Sequence, residues 1–236
     1  MSGSDDVPIA VANRLLLPSI LLSAFGDVPS VAPPLATIMQ AGEACHELFL
    51  VASGWLYRER RAAPGRRAIL DIYMPGDLMG LDQLFAERSP DRITALTATR
   101  YHRLDRSALE AVLWRSDVAR HLMRCLAAEK GRLDQHATRL HQLTAIERTA
   151  AALLHLYERA SAPGSGESPS HDTRAAISLP LTQHHLADYL GLSIVHITRT
   201  LRALRDEGLL EVHNDDLILH NPARLRAIAQ VDLNLA

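Results

Sequence analysis

A chain of 236 residues with 47% apolar content has enough material for two packed cores. Its charge is close to balanced, 25 Lys and Arg against 27 Asp and Glu for a net −2, which excludes a broadly cationic surface: any contact with a polyanion must come from a local patch. Two cysteines, Cys45 and Cys125, exclude a disulfide scaffold and are fewer than the thiolates an iron–sulfur cluster takes; no apolar run approaches the roughly 18–20 residues of a membrane span.

Met1 to Ala12 lacks the basic-then-apolar order of a signal peptide, so a cytoplasmic protein without membrane contact is expected. Asn13 to Ala36 reads as a short helix and loop, broken at Pro18, Pro29 and Pro33-Pro34. From Thr37 the texture changes to short apolar runs: Ile38-Met39, Leu48 to Ala52, Trp55 to Tyr57, Ala68 to Tyr73 and Thr94 to Leu104. Turn signals at Gly42, Ser53-Gly54, Pro64-Gly65 and Pro75-Gly76-Asp77 separate them, which predicts a small antiparallel barrel or sandwich.

Arg106 to Arg159 is helical in texture. Ser116-Asp117 can cap a long helix in which Val118, Leu122, Leu126, Leu133, Ala137, Leu140 and Leu143 recur at three- and four-residue steps, interrupted by Glu129 and Gly131. Such a stripe either lies on its own barrel or pairs with a second copy of the helix. Thr144 to Arg159 predicts another helix, carrying Ile146, Ala150, Leu153, Leu154 and Tyr157, and Ser161 to Ala176 is a loop rich in Ser, Pro and Gly.

The region from Ser178 to Leu219 carries the clearest punctuation. Thr182 is an N-cap for a helix over Gln183 to Leu190, Gly191 supplies a turn, and Ser193 caps a second helix over Ile194 to Glu207. Ile197, Leu201 and Leu204 form the buried stripe of that second helix, and Gly208 ends it. Leu209 to Val212 and Leu217 to Leu219 then flank the polar turn Asn214-Asp215-Asp216, and a last helix covers Pro222 to Val231. Helix, turn, helix and hairpin are the parts of a winged helix-turn-helix. With the stripe buried, Val195, His196, Arg199 and Arg202 share the opposite face, where an arginine can donate two hydrogen bonds to guanine. Ser193 and the free N–H groups at the helix start suit a phosphate. From Ser178 onward five arginines (199, 202, 205, 224, 226) face seven acids (188, 206, 207, 211, 215, 216, 232), so His184, His185, His196 and His213 are expected to help the footprint by partial protonation.

Leu181 to Ser193, followed by Thr198-Arg199-Thr200-Leu201 and Leu204 to Leu210, resembles the DNA-binding signature of the Crp/Fnr family of bacterial transcription regulators, its Fnr and FixK branch more than the cyclic-AMP receptor. Gln40 to Glu43, Leu48 to Gly54 and Pro75 to Leu81 resemble the β-roll sensor domain of the same family. The resemblance implies an α+β fold in three parts: an antiparallel β-roll of the cyclic-nucleotide-binding jelly-roll type over 13–115, a dimerisation helix over 116–143, and a winged helix-turn-helix over 144–236. It implies DNA contacts from Thr182, Ser193, Val195, His196, Thr198, Arg199 and Arg202, with Arg199 reading a guanine. It also implies a homodimer joined through Val118, Leu122, Leu126, Leu133, Ala137 and Leu140, with a palindromic operator in double-stranded DNA and RNA polymerase as partners.

The chain departs from that family in two places. Where the family often has Glu it has Val195, which cannot accept from cytosine N4, so its half-site is expected to differ. Nucleotide-binding members carry Gly-Glu, the Glu holding a ribose hydroxyl, where this chain has Gly80-Leu81; Arg88-Ser89 and Arg92-Ile93-Thr94-Ala95 match the phosphate end only loosely. No cofactor and no metal are expected: Cys45 and His46 are adjacent, and adjacent strand residues face opposite ways. No nucleophile with its base, no carboxylate pair and no phosphate loop stands in the context an enzyme needs. The expected function is therefore sequence-specific DNA binding as a homodimer without cyclic nucleotide, the alternative being a ligand-gated regulator of the same build.

Overall fold

The structure, a computed structural model, describes residues 17–63, 65–84, 86–161, 178–213 and 216–229. The ends of the chain, most of the predicted loop from Ser161 to Ala176, and the tip Asn214-Asp215 lie outside them.

Helix α1 spans Ser19–Ala24, with Pro18 at its N-cap, where its missing N–H costs nothing. Eight strands follow: β1 (Ser30–Ala32), β2 (Thr37–Met39), β3 (Glu47–Ser53), β4 (Leu56–Ala63), β5 (Arg66–Tyr73), β6 (Leu78–Met79), β7 (Arg92–Ala95) and β8 (Thr99–Asp105). They form two antiparallel four-stranded sheets, ordered β1-β8-β3-β6 and β2-β7-β4-β5, which close on a core of Leu56, Tyr73, Met79, Ile93 and Phe49. The single run predicted over Thr94 to Leu104 is two strands. The turn between them has no Gly or Pro of its own and is set by Gly54 and Trp55, whose backbone carbonyl accepts from Leu96 N–H (2.8 Å) while Trp55 N–H donates to Thr97 Oγ1 (2.9 Å). Gly54 has φ +81°, and a Cβ there would lie 2.3 Å from Ala98 O, so only glycine fits.

Helix α2 (Arg106–Leu113) leads into α3 (Ser116–Gln142), which runs unbroken through Gly131 for 27 residues. Its N-cap is Arg115, and neither Ser116 nor Asp117 caps it. Val118 and Leu122, expected at a dimer interface, instead close a core with Leu21, Leu48, Leu104 and Leu109 of the same chain. One stripe in sequence is thus two faces in space. Val118, His121, Leu122, Glu129 and His136 turn inward, while Met123 (71% exposed), Leu126 (38%) and Ala137 turn outward, with Leu133 and Leu140 partly exposed.

Helix α4 (Ala145–Ala160) starts with a capping box, Glu147 accepting from Thr144 N–H at 2.8 Å. After it come β9 (Ser178–Leu179), α5 (Gln183–Leu190), α6 (Ile194–Asp206), β10 (Leu210–His213), β11 (Asp216–Leu219) and α7 (Pro222–Ala229), with the three strands ordered β10-β11-β9. The core of this part, Leu153, Leu186, Leu190, Ile197, Leu201, Leu204 and Leu219 among others, is continuous with Tyr57, Ile69, Ile72 and Met74 on the outer face of the roll. Strand β4 is therefore covered on both sides: Leu56 belongs to the roll core and its neighbour Tyr57 to the C-terminal core.

Candidate nucleic-acid interface

The reading head is built from two caps and one glycine. Thr182 Oγ1 accepts from His185 N–H (3.3 Å), and His185 Nδ1 accepts in return from Thr182 N–H (3.3 Å), a capping box with histidine in the place usual for Glu. Gly191, at φ +63°, ends α5 in the left-handed conformation. Ser193 Oγ then accepts from His196 N–H (3.3 Å) and starts α6. With Ile197 and Leu204 fully buried and Leu201 nearly so, Val195, His196, Arg199 and Arg202 are all exposed, as the spacing requires. Thr182, Ser193 and Thr198 are exposed as well, so all seven residues expected at the DNA are accessible to solvent.

Four of the seven are engaged within the protein, Thr182 and Ser193 as the two helix caps. Thr198 Oγ1 lies 2.7 Å from Gln183 Oε1 and 2.9 Å from Ile194 O, which locks α6 to α5. Arg202 Nε is 3.8 Å from Asp206, an exposed i,i+4 pair that leaves Arg199 the arginine of this face without a carboxylate partner among the described residues. His185 does not supply positive charge: burial, and then Arg67, hold its imidazole below the ordinary value, and its Nδ1 is needed as an acceptor.

The head is fixed to the roll and to α3 at three points that sequence reasoning missed. Arg67 on β5 donates through Nε to Asp188 on α5 (2.7 Å), and its guanidinium lies 5.7 Å from the Tyr57 ring centre, which packs against His185. Arg148 on α4 donates to Leu190 O at the end of α5 (2.9 Å) and to Leu140 O (2.7 Å) and Leu143 O (3.1 Å) at the end of α3, a cation on the last carbonyls of two helices. The third point is a buried ionic junction. Arg58 reaches Asp82 (2.7 Å), Asp91 (3.8 Å) and Glu129 (3.3 Å), Arg60 reaches Asp91 (2.6 Å), Arg132 reaches Asp71 (3.1 Å), and Arg159 reaches Asp77 and the carbonyl of Ile72 (2.9 Å). The roll, α3 and α4 meet there.

Four arginines in the junction face five carboxylates, and the excess negative charge falls on Glu129. Burial, with Asp82 adding to it against the pull of Arg58, pushes the Glu129 carboxyl up to about 7, and Tyr73 Oη donates to it at 3.3 Å. A raised carboxyl stabilises the fold while it is protonated, and that contribution is lost as pH rises through about 7. Holding the ionised group there costs about 3 kcal/mol. Glu129→Gln is therefore expected to raise the melting temperature at pH 8 by about 6–12 °C and to give no advantage at pH 4.5, read by calorimetry at both values.

Leu81 is buried in the core against α3, and the cavity it shares with Asp77, Leu78, Cys125, Ala128, Glu129 and Arg132 measures about 40 Å³, room for a water rather than a nucleotide. The arginines that loosely matched a phosphate clamp face elsewhere: Arg88 donates to Gly42 O (2.7 Å), and Arg92 to Gln40 Oε1 (2.6 Å) with Glu59 at 3.6 Å. Cys45 is buried and His46 exposed, so the two face opposite ways. Burial raises both thiols, Cys125 to about 11, which leaves neither as a ready thiolate at neutral pH. No group of three metal-ligating side chains stands together among the described residues.

Comparison with known proteins agrees with this geometry. Residues 147–228 match the Crp-like helix-turn-helix domain and residues 31–116 the cyclic nucleotide-binding domain. The chain is 27% identical over 216 residues to the transcriptional activator protein FnrA of Stutzerimonas stutzeri, covering 88% of this chain and 84% of that protein. It is 28% identical over 209 residues to the nitrogen fixation regulation protein FixK of Azorhizobium caulinodans, covering 88% and 81%. Its fold is similar to the solved structure of FixK2 from Bradyrhizobium japonicum, with TM-score 0.74 and 26% identity over 86% of this chain and 98% of that one.

Proposed function

The chain belongs to the Crp/Fnr family of transcription regulators, within its Fnr and FixK branch, and from that premise we propose that it binds a palindromic operator as a homodimer without a cyclic nucleotide. The observation that carries the reading is α6 itself: a capped helix whose core stripe is buried while Arg199 stands free on the opposite face. A two-fold axis places two such helices about 34 Å apart, one turn of DNA, which is why a palindrome is expected. The dimer face is the outward side of α3, with Leu126, Leu133, Ala137 and, unforeseen from the sequence, Met123. Val118 and Leu122 support that helix from within and take no part. The absence of a nucleotide requirement rests on Leu81 and the small cavity beneath it. RNA polymerase is the partner such a regulator addresses once it is on DNA.

Selection of bound sequences from random duplexes by the purified protein tests the reading, and enrichment of a palindrome with no nucleotide added is the expected result. Enrichment only after cyclic AMP or cyclic GMP is supplied would replace it with the gated reading. Leu126→Glu combined with Leu133→Glu should convert a dimer to a folded monomer in sedimentation and lower affinity for the selected duplex about 100-fold or more, since one reading head then acts without the other. A variant pair that still sediments as the parent dimer would place the interface elsewhere.

A further inference from the structure

The outward face of α6 holds an apolar residue where base reading calls for polar ones. Val195 is 58% exposed and Ile194 beside it 37%, and they stand at the first two positions of the helix that presents Arg199. Among the described residues Val195 stays mostly uncovered. It lies opposite Ile197 and Leu204 and one turn before Arg199, on the same side. Its place at the N-terminal end of a reading helix is the end that approaches base edges in this motif. Valine neither donates nor accepts a hydrogen bond, so it cannot recognise the polar edge of a base; the one apolar group in the major groove is the 5-methyl of thymine.

Resting on the reading above, we propose that Val195, flanked by Ile194, selects thymine through its 5-methyl group next to the guanine read by Arg199. Four residues of helix rise about 6 Å, so the two contacts fall within about two base-pair steps of about 3.4 Å each. The preference is for a methyl group rather than for a base pair, and a 5-methylcytosine in the same place satisfies it. His196, on the edge of the face and tied by its own N–H to Ser193, leaves Val195 central.

The experiment uses the full chain and the duplex it selects. Uracil is placed for thymine at each position in turn, removing the methyl and nothing else. At one position per half-site uracil should weaken binding about fourfold, and about tenfold or more when both half-sites are changed. Val195→Ala should bind thymine and uracil duplexes alike, and its melting temperature should stay close to the parent's because Val195 is exposed and outside the core. For the parent alone, 5-methylcytosine at that position should bind more tightly than cytosine. If uracil changes affinity less than twofold everywhere while Arg199→Ala still abolishes selection, the thymine proposal fails and the DNA reading stands. If no sequence is selected and Arg199→Ala changes nothing, both fail.

Discussion

Arg199→Ala should lower affinity for the selected operator by about 30-fold to 10⁴-fold while leaving the dimer and its melting temperature unchanged. One arginine paired to guanine O6 and N7 discriminates by about 1–3 kcal/mol, and a two-fold dimer loses the contact twice. The fold should not notice. Arg199 is exposed, and the stripe that anchors α6 is made of Ile197, Leu201 and Leu204 on its other side. Arg202→Ala is the internal comparison. Its guanidinium is 3.8 Å from Asp206 and highly exposed, so its loss should weaken binding to every sequence to a similar, smaller degree and flatten the salt dependence. Anisotropy titrations at two salt concentrations, on the selected duplex and on a scrambled one, separate a base contact from a phosphate contact. Equal loss on both duplexes for Arg199→Ala would remove it from the base edge.

Arg58→Met should be the most damaging single change in the roll, costing about 3–5 kcal/mol and about 6–20 °C in melting temperature. The side chain is 3% exposed and faces Asp82, Asp91 and Glu129, of which Asp91 is 1% exposed. Removing the cation strands Asp91 and Glu129, 1% and 7% exposed, while Asp82, 37% exposed, is left to solvent. Asp91 keeps Arg60 and the amide of Gln83, which places the effect toward the lower end of the range at acid pH, where Glu129 is protonated. Above pH 7, Glu129 is ionised as well and the loss should deepen. Arg61→Ala on the same strand, where the side chain is 64% exposed, should stay within about 0.5 kcal/mol of the parent. Because the junction also holds Arg132 of α3 and Arg159 of α4, Arg58→Met should loosen the contact between roll and reading head before global unfolding. Hydrogen exchange at the start of α5 would show it.

Much of the reading head was legible because its signals are local. A cap is made by a residue and the backbone three positions on, a left-handed turn by one glycine, and a buried stripe by spacing along one helix. Thr182, Gly191, Ser193, Ile197, Leu201 and Leu204 are each specified within a few residues of themselves. The strands of the roll were legible for the same reason, wherever Gly or Pro marked their ends. The turn between β7 and β8 was not, because the residue that demands it, Gly54, lies about 40 positions away in sequence.

The sequence by itself determined a β-rich N-terminal part, a long helix and a capped helix-turn-helix with Arg199, Arg202 and Val195 outward, because periodicity and capping are properties of neighbouring residues. Only the tertiary structure decided which side of α3 faces its own roll. The stripe from Val118 to Leu140 has one apolar signature for both burials, and whether a leucine meets its own barrel or a second chain depends on what folds back upon it. Only the tertiary structure, too, brought Arg58, Asp71, Asp77, Asp91, Glu129, Arg132 and Arg159 into one junction. Each reads in sequence as an ordinary surface charge; burial, which makes each ion costly unless another is beside it, comes from partners far along the chain.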